Sequence, residues 1–381
     1  MDRLKLMIVV GTRPEIIRLS EVIKKCEKYF DVVLVHTGQN YDYELNGVFF
    51  EELGLKQPDY YLDAAGDDLG ATIGNIIDRS YKLLKEERPD AVLVLGDTNS
   101  CLSVICAKRL HIPTFHMEAG NRCFDECLPE ETNRRIVDVI SDVNMCYSEH
   151  ARRYLNASGV AKERIFVTGS PMAEVLNRHI KEIEASHILE ELNLEKGKYI
   201  LLSAHREENI DTEENFLSLF TAINAIAEKY NVPVLYSCHP RSANRIKETG
   251  FKLDDRVIMH KPLGFFDYNN LQMNALCVVS DSGTLPEESS YYLSIGKPFP
   301  AVAVRTSTER PEALDKGDFI LSGITEKEVL QAVDLAIEMN RNQDLGVPVP
   351  DYTDLNVSDK VVRIIQSYTG IVNRMVWRKQ Q

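Results

Sequence analysis

Short apolar, β-branched runs alternate with longer segments of helical period along this chain, and that alternation dictates a parallel sheet covered by helices. In the first half the runs at 4–10, 31–35, 91–95, 112–116, 143–147 and 164–167 read as strands, with helices near 14–29, 68–87, 98–110 and 131–141. In the second half, strands at 199–203, 232–237, 256–260, 276–280 and 299–304 alternate with helices near 213–230, 284–294 and 326–340. The class is α/β. The halves also rhyme: Leu6 to Arg13 and Ile200 to Arg206 are each an apolar strand followed by a turn bearing a cation, and each half has a later strand followed by an aspartate, Asp97 and Asp281. Similar halves predict two Rossmann-like, doubly wound domains facing across a cleft, residues 1–170 and 171–355, with an amphipathic helix at 356–381 packing back on the first.

The 381 residues suffice for two sizeable cores. A formal net charge of −14 opposes nucleic acid and anionic membranes, so an anionic small ligand needs a local basic pocket. The eight cysteines are scattered and mostly flanked by apolar residues, which reads as reduced thiols, mostly buried, in a cytoplasmic protein. The first ten residues hold too short an apolar run for a secretory signal, and no run of about 18 apolar residues is long enough to span a bilayer.

Ligands of open α/β sheets bind beyond the carboxyl ends of the strands. The residues just after those ends include Arg13, Gln39, Asp97, Glu118, His205, His239 and Ser282-Gly283. Ser282-Gly283-Thr284 opens a helix, where free N–H groups and the helix dipole suit phosphate, and Glu288 lies one turn in, placed to accept from ribose hydroxyls. The plainer reading is an N-cap with a solvated acidic turn. Gly11-Thr12-Arg13-Pro14-Glu15 lacks the spacing of a dinucleotide loop, which disfavours nicotinamide. Arg13 and His205, at equivalent turns, would clamp a diphosphate, although either alone suits a surface or capping role equally. Asp97, Glu118 and Glu130 would serve acid and base roles if one site gathered them, whereas singly each reads as a solvated carboxylate. Arg134 follows Glu130 by four residues, the spacing of an ordinary helical ion pair. His116, Glu118, Cys123 and Cys127 only superficially match a zinc deaminase, because the Pro-Cys-x-x-Cys element is absent. Tyr268 would stack on a base, or sit half-buried at the surface.

Gly11-Thr12-Arg13-Pro14-Glu15, Gly96-Asp97-Thr98, Glu118-Ala119-Gly120, Pro129 to Arg134, Ala204-His205-Arg206, Ser280 to Gly283 and Thr308 to Glu312 occur in that order. Together they resemble the non-hydrolysing UDP-N-acetylglucosamine 2-epimerase family, over about residues 4–370. His36 to Leu45, His239-Pro240-Arg241 and Pro298 to Val302 look like the branch that makes UDP-N-acetyl-L-fucosamine from UDP-2-acetamido-2,6-dideoxy-L-talose for capsule or O-antigen.

The resemblance implies a glycosyltransferase-B-like pair of domains, a homodimer, a UDP-sugar substrate, and no cofactor or catalytic metal. It implies proton handling by Asp97, Glu118 and Glu130, supported by Arg134 and His205. It assigns UDP-sugar binding to Arg13, Arg18, Tyr268, Ser282, Gly283, Glu288 and Arg310. Three positions depart from the commoner pattern: Arg18 stands where lysine is usual, Thr284 replaces a glycine, and Asn40 replaces a histidine. The competing expectations are the generic conversion of UDP-N-acetylglucosamine to UDP-N-acetylmannosamine, a two-domain glycosyltransferase, and a non-catalytic nucleotide-sugar sensor.

Overall fold

The computed structural model describes residues 3–39, 49–204, 212–238 and 240–379. The chain forms two compact units, Met1–Val175 with Asp354–Gln381, and Leu176–Thr353. Each is an α/β unit built on one parallel sheet.

Unit 1 holds seven strands in the order β3-β2-β1-β4-β5-β6-β7. They are β1 Lys5–Val10, β2 Asp31–His36, β3 Tyr60–Tyr61, β4 Ala91–Leu95, β5 Thr114–Met117, β6 Val143–Cys146 and β7 Ile165–Val167. Nearly every residue of β1, β2, β4, β5 and β6 is buried, as expected of strands covered on both faces. The principal helices are α1 Arg13–Tyr29, α2 Leu69–Glu87, α3 Val104–Arg109, α4 Pro129–Ile140 and α5 Glu149–Ala157, with a 3₁₀ segment at Asn99–Ser103 leading into α3. Helix α1 starts sharply because Thr12 is extended and a proline occupies its first turn. Asp68 caps α2 by accepting from Ala71 N at 2.7 Å.

Unit 2 repeats the plan with six strands in the order β10-β9-β8-β11-β12-β13. They are β8 Ile200–Ser203, β9 Val234–Ser237, β10 Val257–His260, β11 Cys277–Ser280, β12 Ala301–Ala303 and β13 Ile320–Leu321. Its main helices are α6 Glu213–Tyr230, α7 Pro240–Thr249, α8 Phe265–Asn274, α9 Leu285–Ser294 and α10 Glu326–Arg341. Phe216, Phe220, Ile223 and Ile226 of α6 meet Val329, Val333 and Ile337 of α10 in its core. Helix α11, Val357–Met375, belongs to unit 1 and contacts α1, where Lys25 Nζ lies 2.9 Å from Asp359 Oδ1.

Both sheets reverse direction of winding once, between β1 and β4 in unit 1 and between β8 and β11 in unit 2. These are the switch points at which open α/β sheets leave room for a ligand. Among the described residues, no helix is long and apolar enough to cross a membrane.

Candidate active-site residues

The register of unit 1 sets its acidic residues in a row. Leu95 pairs with Met117, so Gly96 and Glu118 leave the carboxyl edge of β4 and β5 side by side. At the end of β1, Gly11 has no room for a side chain: a Cβ would stand 2.4 Å from Thr37 Oγ1 and 2.9 Å from Ser100 Cβ. The turns after β1, β2 and β4 therefore close on one another around this glycine.

Glu118 occupies the edge of β5 with φ +62°, in the left-handed region that a non-glycine residue enters at a cost of about 1–2 kcal/mol. Its side chain is buried. Arg18 Nη1, from the second turn of α1, donates to Glu118 Oε2 at 2.5 Å, and Asn121 Nδ2 donates to Glu118 Oε1 at 3.3 Å. Asp97 is held from the other side, where Arg134 Nη2 donates to its Oδ2 at 2.6 Å and Asn133 Nδ2 to its carbonyl oxygen at 2.9 Å. Arg134 also donates to Glu131 Oε2 at 3.2 Å. Arg134 thus bridges Asp97 across the sheet and Glu131 at i−3.

Glu130, the carboxylate expected to share this chemistry, is exposed in the first turn of α4. Its neighbour Glu131 is the buried one, touching Arg134, Arg135 and the amide of Cys123. The signal for Glu131 lay in helical phase: 131, 134 and 138 share one face of α4, and all three are buried. Beneath the row, Asp138 accepts from Gly120 N at 3.1 Å and from Arg122 Nη1 at 2.6 Å, and His116 Nδ1 lies 3.1 Å from its Oδ1. His116 Nε2 is 2.8 Å from the carbonyl of Gly96. This buried group links the turns after β4 and β5, and nothing in the spacing of its members announces it.

Arg13 is half-buried, its guanidinium 5.4 Å from the centre of the Phe49 ring. Cys123 is partly buried and Cys127 exposed, while the other six cysteines are buried, all with free thiols. Among the described residues no group of three or more His, Cys, Asp or Glu is arranged to hold a metal ion. His205 and His239 lie outside the described residues, as does most of the stretch from His36 to Leu45.

In unit 2 the switch point carries Asp281 to Thr284. Ser203 pairs with Ser280, so Ala204 and Asp281 leave the sheet together. Ser282 Oγ and Thr284 Oγ1 are 2.9 Å apart, and Thr284 Oγ1 donates to Glu288 Oε1 at 2.8 Å. Thr284 precedes α9 without capping it through its side chain, so its hydroxyl serves Glu288 instead. Gln272 Nε2 donates to Glu288 Oε2 at 2.7 Å, which fixes this buried carboxylate between α8 and α9. Gly283 lies in the same turn. Arg310 is almost wholly buried and donates to Glu287 Oε1 through Nη2 at 2.8 Å. Tyr268 is half-buried on α8 and packs against Tyr199, Leu201 and Leu271.

The model of the UDP-N-acetylglucosamine 2-epimerase family matches residues 24–366. The chain belongs to that family. It is therefore a carbohydrate epimerase, an isomerase. Among solved structures it is similar to the UDP-N-acetylglucosamine 2-epimerase of Rickettsia bellii, with 45% identity, a TM-score of 0.91, and coverage of 99% of this chain and 100% of that one. It is also similar to the Methanocaldococcus jannaschii UDP-GlcNAc 2-epimerase solved in complex with UDP-GlcNAc and UDP, at 32% identity, a TM-score of 0.88, and 96% and 100% coverage. A Pseudomonas aeruginosa relative, UDP-2,3-diacetamido-2,3-dideoxy-D-glucuronate 2-epimerase, is 32% identical over 86% of this chain and 91% of its own length.

Proposed function

We propose that this epimerase inverts C2 of a UDP-2-acetamido sugar by eliminating UDP and adding it back, and that its substrate is UDP-2-acetamido-2,6-dideoxy-L-talose, giving UDP-N-acetyl-L-fucosamine for surface-polysaccharide synthesis. The observation that carries the chemistry is the row of cation-held carboxylates at the carboxyl edge of unit 1, buried Glu118 with Arg18 and partly buried Asp97 with Arg134.

A C2 proton beside an anomeric carbon is not acidic, so simple removal and return is a poor route. Elimination avoids this. A carboxylate takes the C2 proton as the C1–oxygen bond breaks, the electron pair leaves with UDP, and a glycal remains. Return of UDP to C1 with a proton delivered to the opposite face of C2 completes the inversion. Asp97, Glu118 and Glu130 are the proton-handling groups on this reading, with Arg134 and His205 supporting them. General acid or base help of this kind is worth roughly 10²–10⁴-fold per group. UDP is assigned to Arg13, Arg18, Tyr268, Ser282, Gly283, Glu288 and Arg310. The enzyme acts as a homodimer in the cytoplasm.

The 6-deoxy sugar is favoured by the motifs His36 to Leu45 and Pro298 to Val302. The Pseudomonas relative is a 2-epimerase of UDP-2,3-diacetamido-2,3-dideoxy-D-glucuronate, a sugar nucleotide other than UDP-N-acetylglucosamine. A second reading, UDP-N-acetylglucosamine as substrate, is favoured by the 45% identity to the Rickettsia protein. Proton NMR in deuterium oxide separates them. Deuterium at C2 and a new epimer from the 6-deoxy sugar alone support the first, the same from UDP-N-acetylglucosamine supports the second, and no exchange with either overturns both.

A further inference from the structure

We propose that Glu15 is a positioning residue of the unit 1 site, tying the turn that carries Arg13 to the turn that carries Asp97. The proposal rests on the epimerase reading above.

Glu15 lies in the first turn of α1 and is 1% exposed. One carboxylate oxygen, Oε2, accepts from Gly11 N at 3.0 Å and from Thr12 Oγ1 at 2.8 Å, both in the turn after β1. The other, Oε1, accepts from the hydroxyl of Ser100 in the 3₁₀ segment after β4. A single carboxylate thus holds both turns that flank the switch point, immediately before Arg13 and three residues after Asp97.

The chain of hydroxyls continues outward. Ser100 Oγ is 2.8 Å from Thr98 Oγ1, and Thr98 is only partly buried. Ser100 has one proton. While Glu15 is ionised that proton goes to the carboxylate, so Thr98 must donate to Ser100 and presents lone pairs outward. When Glu15 is protonated on Oε1, its partner must accept: Ser100 turns round and donates to Thr98, whose own proton becomes available on the outer side. The backbone N–H of Gly11 cannot turn round, so protonation on Oε2 would break that contact instead. Both forms therefore tie the two turns, the ionised one by accepting alone and the one protonated on Oε1 with the chain of hydroxyls reversed.

Burial pushes the Glu15 carboxyl up to about 7, against the lowering effect of Ser100, Thr12, Gly11 and Thr98. Arg13 and Arg18 lie on the same helix, His36 ends β2, the strand paired with β1, Asp97 opens the turn after β4, and the thiol of Cys101 on the 3₁₀ segment feels the Glu15 charge. Burial holds His36 down at about 4 and pushes the Cys101 thiol well up, so neither titrates near neutrality.

The test compares wild type, Glu15→Ala and Ser100→Ala. Hydrogen–deuterium exchange read by mass spectrometry should show residues 11–13 and 96–100 loosening together in Glu15→Ala, with the rest of unit 1 unchanged. In steady-state C2 epimerisation kcat should fall about 10–100-fold, since small displacements of reacting groups have effects of that order, while KM stays within about threefold. If that variant does not fold, Ser100→Ala, which cuts the tie at one end, should loosen 96–100 and lower kcat. Unchanged exchange in both turns, or wild-type kcat in the variants, overturns the proposal. Absence of C2 exchange by the wild type would sink the epimerase reading, and the deuterium exchange of the two turns would still decide the role of Glu15.

Discussion

Arg18 Nη1 stands 2.5 Å from Glu118 Oε2, joining α1 to the edge of β5 across one hundred residues of sequence. Both side chains are largely withdrawn from water. Losing one partner of such a pair leaves an uncompensated buried charge, at a cost of roughly 3–5 kcal/mol. Arg18→Gln should therefore lower the urea midpoint sharply and slow C2 exchange. Arg18→Lys, which keeps the charge, should recover most of the stability. A variant Arg18→Gln as stable as wild type would show that the pair contributes little.

Glu130 and Glu131 are adjacent in sequence and opposite in environment. Glu131 is 1% exposed between Arg134 and Arg135, whereas Glu130 is exposed. Glu131→Gln is expected to cost about 1–3 kcal/mol by leaving buried donors poorly matched. Glu130→Gln should leave the melting temperature within a degree or two and abolish deuterium uptake at C2. The two melts and the two exchange rates check both statements at once.

Glu288 is oriented by Thr284 and Gln272, one donor to each carboxylate oxygen. Hydrogen bonds to a charged group contribute about 1.5–3 kcal/mol. Glu288→Gln should weaken UDP binding by about 10–100-fold in isothermal titration calorimetry. An unchanged UDP affinity would remove Glu288 from the nucleotide site.

Asp318 lies far along the chain from these groups, at the start of β13, and is 4% exposed. Ser290 Oγ donates to its Oδ2 at 2.6 Å. Burial raises this carboxyl to about 7. Below about pH 4 both the folded and unfolded states hold the proton. Between about 4 and 7 only the folded state does, and above that the fold must carry a buried charge. Its contribution to stability is thus full at low pH and lost as pH rises through 7, on the order of 4 kcal/mol. Urea titrations at pH 5 and pH 8 should show a smaller difference for Asp318→Asn than for wild type.

The strands of both sheets were legible because buried parallel strands are short, continuous apolar runs, as in β1 and β4. β3 and β13, with two residues each, are too short to show any period and were not expected. Helix α5 was also missed, lying in the polar stretch after β6. Turn residues such as Asp97, Glu118 and Ser282 were legible as polar residues at strand ends. What sequence could not supply is partnership. Nothing in the i,i+4 spacing of Glu130 and Arg134 shows that Arg134 also reaches Asp97, which it does because the sheet order sets the turn after β4 beside α4. Glu15 read as part of a motif, and its burial and its tie to Ser100 depend on contacts 85 residues away.

The left-handed backbone at Glu118 has an evolutionary reading. Replacement by glycine would relieve the strained dihedral, so a selection that rewards heat resistance alone has a downhill path at this position, limited only by the stranded charge of Arg18. Libraries screened for melting temperature without an activity gate should therefore accumulate paired losses at 18 and 118, and yield sturdier proteins that no longer turn over.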